Sequence, residues 1–142
     1  MPAMLTATLS EPKPSTVAPV TNITLLARPD LLLKLEGLTL FIGALVAYYT
    51  LNGNWWMFAA LLLVPDLFMM GYFLNPVWGA AGYNLGHTYL LPALLLGAGW
   101  LMGWNLAVLI AVIWFAHIGM DRTVGYGLKY STNFKDTHLQ HV

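Results

Sequence analysis

Four apolar stretches run between residues 31 and 124, and polar residues or glycine interrupt them at regular intervals. They cover about Leu31–Leu51, Trp55–Leu74, Trp78–Met102 and Trp104–Val124. Each is long enough, at 1.5 Å rise per residue, to cross a hydrocarbon layer of roughly 30 Å as an α-helix. Asn52-Gly53-Asn54, Asn75-Pro76 and Gly103 mark the turns between them. Arg28-Pro29-Asp30 reads as the first helix start, with Asp30 as its N-cap. Trp55, Trp56, Trp78, Trp100 and Trp104 gather at stretch ends, as interfacial anchors do. The pattern predicts an all-α integral membrane protein, a bundle of four transmembrane helices over residues 28–125. A disordered tail, residues 1–27, precedes the bundle, and a short cytoplasmic tail, residues 126–142, packs on it.

Composition agrees with this pattern. Of 142 residues, 58% are apolar and 8% charged, against about 25% charged in a soluble domain. The lipid bilayer is therefore the expected partner. The net charge of zero gives no reason to expect a nucleic-acid partner. The absence of cysteine excludes disulfides, iron–sulfur clusters and thiol catalysis. All six basic residues, Lys13, Arg28, Lys34, Arg122, Lys129 and Lys135, lie before or at the start of the first span, or at or after the end of the fourth. The positive-inside rule then places both termini in the cytoplasm. The sequon Asn22-Ile23-Thr24 falls on that side, where it would not be used.

The polar residues inside the spans carry the chemistry. His117 and Asp121 are four apart, so they share a helix face. Asn84 and His87 are three apart and do the same. Glu36 and Asp66 complete the set. Counted from the cytoplasmic ends, these six lie at depths of about 5–14 Å, all in one half of the bundle, and every span supplies at least one. Charged and polar groups at that depth need partners or a purpose. His87, His117, Asp66 and Asp121 are a donor set suited to a divalent metal, Zn, Fe or Mn. Tyr83 and Thr88 could add hydroxyls. Pro65 and Pro92 are expected to kink the second and third spans and free the carbonyls of Leu61 and Thr88. Simpler readings compete. Glu36 could pair with Lys34 or Arg122, Arg122 could snorkel and neutralise Asp121 or Glu36, Met69 and Met70 could be packing, and Gly37, Gly43, Gly71, Gly79, Gly82 and Gly86 could be close-packing positions.

The segments KLEGL (Lys34–Leu38), PDLFMMGY (Pro65–Tyr72), YNLGHTY (Tyr83–Tyr89), WFAHIGMDR (Trp114–Arg122), GYGLKY (Gly125–Tyr130) and FKDTHL (Phe134–Leu139) resemble the bacterial family known as domain of unknown function 4260. The resemblance implies a small four-helix inner-membrane protein and no particular activity. It also implies that the tail belongs to the domain, which adds Lys129, Asp136 and His138 as site candidates; a solvated surface is the simpler reading of the last two.

Three functions stay open on the sequence. One is a membrane-embedded metalloenzyme whose bound divalent metal activates water or oxygen. Another is a binding or transport module for protons or a small solute, for which a homo-oligomer would supply the path through the apolar outer half. The third is a structural or interaction protein whose polar cluster is a satisfied network.

Overall fold

The computed structural model describes residues 27–132 and 134–142. All but the last residue of the expected N-terminal tail, the sequon included, lies outside the described residues. The described chain is all-α: α1 Pro29–Thr50, α2 Trp55–Leu61, a 3₁₀ helix over Val64–Phe73, α3 Pro76–Gly86, α4 Leu90–Leu101, α5 Asn105–Val124, and a closing 3₁₀ turn His138–Gln140. Three helical stretches, Pro29–Thr50, Trp55–Phe73 and Asn105–Val124, are long and apolar enough to cross a membrane.

The helix ends follow local chemistry. Pro29 occupies the first turn of α1, where its missing N–H leaves nothing unpaired. Asp30 is not the cap; it sits inside the first turn and pairs with the Arg28 guanidinium at 2.8 Å. The Asn54 side chain accepts from the backbone N–H of Trp56 and Met57 and starts α2. Asn75 accepts from Trp78 N–H, with Pro76 following, and starts α3.

Two spans are broken rather than bent. Pro65 does not kink an α-helix; the chain leaves α geometry after Leu61 and continues as a ten-residue 3₁₀ helix, an uncommon length for that form. With three residues per turn, Asp66, Met69 and Tyr72 stack in one column and Pro65, Phe68 and Gly71 in the next. The third span breaks at His87–Tyr89, ahead of Pro92. The carbonyls of Gly86 and His87 are both taken by α5: Trp114 Nε1 donates to Gly86 O at 2.7 Å and Arg122 Nη2 to His87 O at 3.1 Å.

The last helix, α5, is the hub. It packs against α1 and against α4, and its Val112, Ile113 and Ala116 meet Ala44, Tyr48 and Phe58 in the apolar core. Glycines set the closest approach. A Cβ on Gly37 would lie 2.5 Å from Arg122 Cβ, and one on Gly119 would lie 2.7 Å from the Phe41 backbone nitrogen. On the other side α3 lies on the 3₁₀ helix, with Gly82 and Gly86 seated against Phe68. Gly43, by contrast, has nothing within 4 Å and is not a packing position. Much of the remaining surface is large apolar side chains, among them Val46, Leu94, Trp100 and Leu101, which suits contact with lipid.

The Gly37–Gly119 crossing generates a prediction. Gly119→Leu should lower stability by about 1–3 kcal/mol through overpacking, read as a drop in melting temperature in detergent. Gly43→Leu should leave the melting temperature within experimental error.

Candidate metal centre

Four side chains from three different parts of the chain meet at one point. Asp66 comes from the 3₁₀ helix, His87 from the break after α3, and His117 and Asp121 from one face of α5. One ligand atom from each lies within 4.8 Å of all the others. His87 Nε2 is 3.0 Å from His117 Nε2, 3.4 Å from Asp66 Oδ1 and 3.4 Å from Asp121 Oδ2. His117 Nε2 is 3.6 Å from Asp66 Oδ1 and 3.8 Å from Asp121 Oδ2. Ligands at 2.0–2.2 Å around a tetrahedral ion stand about 3.4 Å apart, and these distances scatter around that value.

The surroundings orient the set. His87 Nδ1 faces the Tyr83 carbonyl at 2.8 Å. A proton on Nδ1 satisfies that bond and leaves Nε2 with its lone pair toward the cluster. Tyr83 stacks on the His87 ring with centroids 3.7 Å apart, and its hydroxyl donates to Asp121 Oδ2 at 3.0 Å. His117 Nδ1 is buried and has no hydrogen-bond partner among the described residues. Both histidine side chains are closed off, whereas the Asp66 side chain is 41% exposed. It borders a cavity of about 320 Å³ that is also lined by Met69, Tyr126, Lys129 and Phe134.

The tail closes over that cavity. Lys129 and Thr137 form an antiparallel bridge. Asn84 does not enter the cluster; its side chain grips Lys129 from both sides, donating to the Lys129 carbonyl at 2.9 Å and accepting from the Lys129 N–H at 2.7 Å. The Lys129 ammonium lies 3.4 Å from the Phe134 ring centroid, 4.4 Å from that of Tyr83 and 5.4 Å from that of Tyr72. Burial pushes it below the ordinary lysine value, against the pull of Asp121 and Asp66.

The other candidates stand elsewhere. Glu36 is exposed and forms no ion pair among the described residues. It shares a second cavity, about 330 Å³, with Arg122 and His138. Arg122 is buried and does not snorkel; it holds the carbonyls of His87 and Tyr126. The Thr88 hydroxyl returns to Leu85 O. Asp136 is held below the ordinary carboxylate range by a hydrogen bond from Thr132 and by His141, its 2.6 Å partner. His138 Nδ1 accepts from Leu128 N–H at 2.8 Å and docks the tail. Sequence reasoning missed Tyr72 and Phe134, the ring partners of Lys129. The spacing of Asp66, Met69 and Tyr72 was a signal only for a period of three.

Fold and centre together define a small helical protein with apolar spans around a buried His₂Asp₂ cluster. The family model described as domain of unknown function (DUF4260) matches residues 30–142, and the chain belongs to that family. No curated protein and no solved structure matches it.

Burial, with Arg122 adding to it, holds His138 below the ordinary histidine value, and Nδ1 must stay unprotonated to accept from Leu128 N–H. The neutral ring therefore favours the docked tail. That contribution is present above an unfolded value of about 6.5 and is lost as the pH falls below it. Hydrogen exchange of residues 126–142 should be slow at pH 7.5 and accelerate by pH 5, and His138→Asn, which keeps an acceptor for Leu128, should flatten that pH dependence.

Proposed function

We propose that this chain is a membrane-embedded metalloenzyme in which Asp66, His87, His117 and Asp121 hold one divalent ion, zinc before iron or manganese. The observation that carries the reading is the five near-tetrahedral distances among four donors brought together from three elements. Iron and manganese sites with oxygen-rich ligands are commonly octahedral, with adjacent ligands about 3.0 Å apart, which fits only the His–His edge. Two imidazole nitrogens 3.0 Å apart need a proton or a cation between them. A cation satisfies both.

The open side supports catalysis over a purely structural ion. With four protein donors around the ion, water would enter as a fifth ligand or in place of the exposed Asp66, and the ion would lower its pKa toward neutrality. Asp66, the one exposed ligand, faces the cavity through which water and substrate reach the centre. Tyr83 fixes both Asp121 and His87, the first through its hydroxyl and the second through its carbonyl and ring. In this reading four spans cross the inner membrane, α3 and α4 forming the third, with both termini cytoplasmic. The one-sided placement of the six basic residues supports that orientation.

Elemental analysis of the full chain, purified gently in detergent, should find about one zinc per chain. His117→Ala and His87→Ala should reduce it at least tenfold, the order expected when a ligand is lost. Glu36→Gln should retain it. Substoichiometric Zn, Fe and Mn in the wild type would sink the proposal in favour of a structural polar network.

A further inference from the structure

The charge around the cluster constrains what its cavity can accept. Two carboxylates, Asp66 and Asp121, face inward. Two cations accompany them. Lys129 is buried under the tail among three aromatic rings. Arg122 is buried behind His87 and donates to the carbonyls of Tyr126 and His87, with no carboxylate in ion-pair range among the described residues. Glu36, across the second cavity, is exposed and pairs with neither. Without a metal, the two carboxylates and two cations balance. A divalent ion leaves two positive charges uncompensated in a poorly solvated site, where such an excess is costly. A metal-bound hydroxide would cancel one, and the other calls for an anion from outside.

We propose that the loaded centre takes a substrate bearing an oxyanion, a carboxylate or phosphate group, with Lys129 Nζ as its anchor opposite the metal. The inference rests on the metal reading above. Lys129 is built for the task. Its backbone is fixed on both sides by Asn84 and by the bridge to Thr137. Rings of Phe134, Tyr83 and Tyr72 flank its ammonium, and Tyr83 carries on to Asp121, so the lysine and the cluster share one wall of the same cavity. An ammonium held against ring faces and without an oxygen partner among the described residues is ready for a charge-assisted hydrogen bond. The oxyanion could arrive free or on a lipid. Beside the cavity lies an apolar groove of about 250 Å³ lined by Pro65, Phe68, Ile110 and Trp114, among others, where an acyl chain would fit.

Cobalt tests the inference, because its visible bands report both occupancy and changes of ligand. The full chain loaded with Co²⁺ should bind one equivalent, and its bands should shift on titration with acetate or inorganic phosphate. A parallel arm uses nanodiscs of phosphatidylcholine with and without phosphatidic acid. A response to the soluble anions assigns a free oxyanion, and a response to phosphatidic acid alone assigns a lipid headgroup; either supports the proposal. Lys129→Met should keep one equivalent of cobalt and weaken the anion response about tenfold or more, as loss of one charged hydrogen bond predicts. Lys129→Arg should restore part of it. Bands that ignore every anion, or an equal response in Lys129→Met, would overturn the inference while leaving the metal site intact. Cobalt below one equivalent in the wild type would overturn the metal site and the inference with it.

Discussion

Everything near the centre depends on how the broken third span is mended. Ending α3 at Gly86 and restarting at Leu90 leaves backbone carbonyls that no helix satisfies, in surroundings where water is scarce. Two side chains of α5 take those of Gly86 and His87, Trp114 and Arg122. They flank His117 and Asp121 in sequence, so the bonds that repair the break also bring α5's two polar side chains to His87. The break in turn frees His87 from the helix and lets its ring reach inward. Repair and site assembly are one set of contacts.

The 3₁₀ helix is the second half of this arrangement. In an α-helix Asp66, Met69 and Tyr72 would drift around the axis by about 60° per step of three. Three residues per turn keep them in a column, with Asp66 at the cluster, Met69 on the cavity wall and Tyr72 beside Lys129. The adjacent column lies against the glycines of α3, so the segment touches both its structural neighbour and the site without twisting away from either.

Much of this was legible beforehand. Apolar length and the glycine and asparagine breaks give α1 and α5 nearly to the residue. Similar depth, counted at helical rise, selects Asp66, His87 and the pair His117 and Asp121 from three spans. What was hidden depends on tertiary contact. Depth also admitted Glu36 and Asn84, because rise along an axis says nothing of direction around it, and these two face other neighbours. Arg122 looked interfacial because its carbonyl partners exist only once the third span has broken. Gly119 passed unnoticed since its contact is with the backbone of α1, far away in sequence. Pro65 and Pro92 announced irregularity, but only packing decided that one stretch would tighten into 3₁₀ and the other would part at His87.

The tightened stretch also changes how far the chain reaches. As a continuous α-helix, the nineteen residues Trp55–Phe73 would extend about 28 Å, a little short of a bilayer core of roughly 30 Å. At about 2.0 Å per residue, the ten residues Val64–Phe73 add some 5 Å. The stretch thereby reaches about 33 Å, past a roughly 30 Å core, with no added residue. Winding the segment back to α pitch would take Met69 and Tyr72 out of the column they share with Asp66, so the reach of the stretch and the line of the cavity wall are set together.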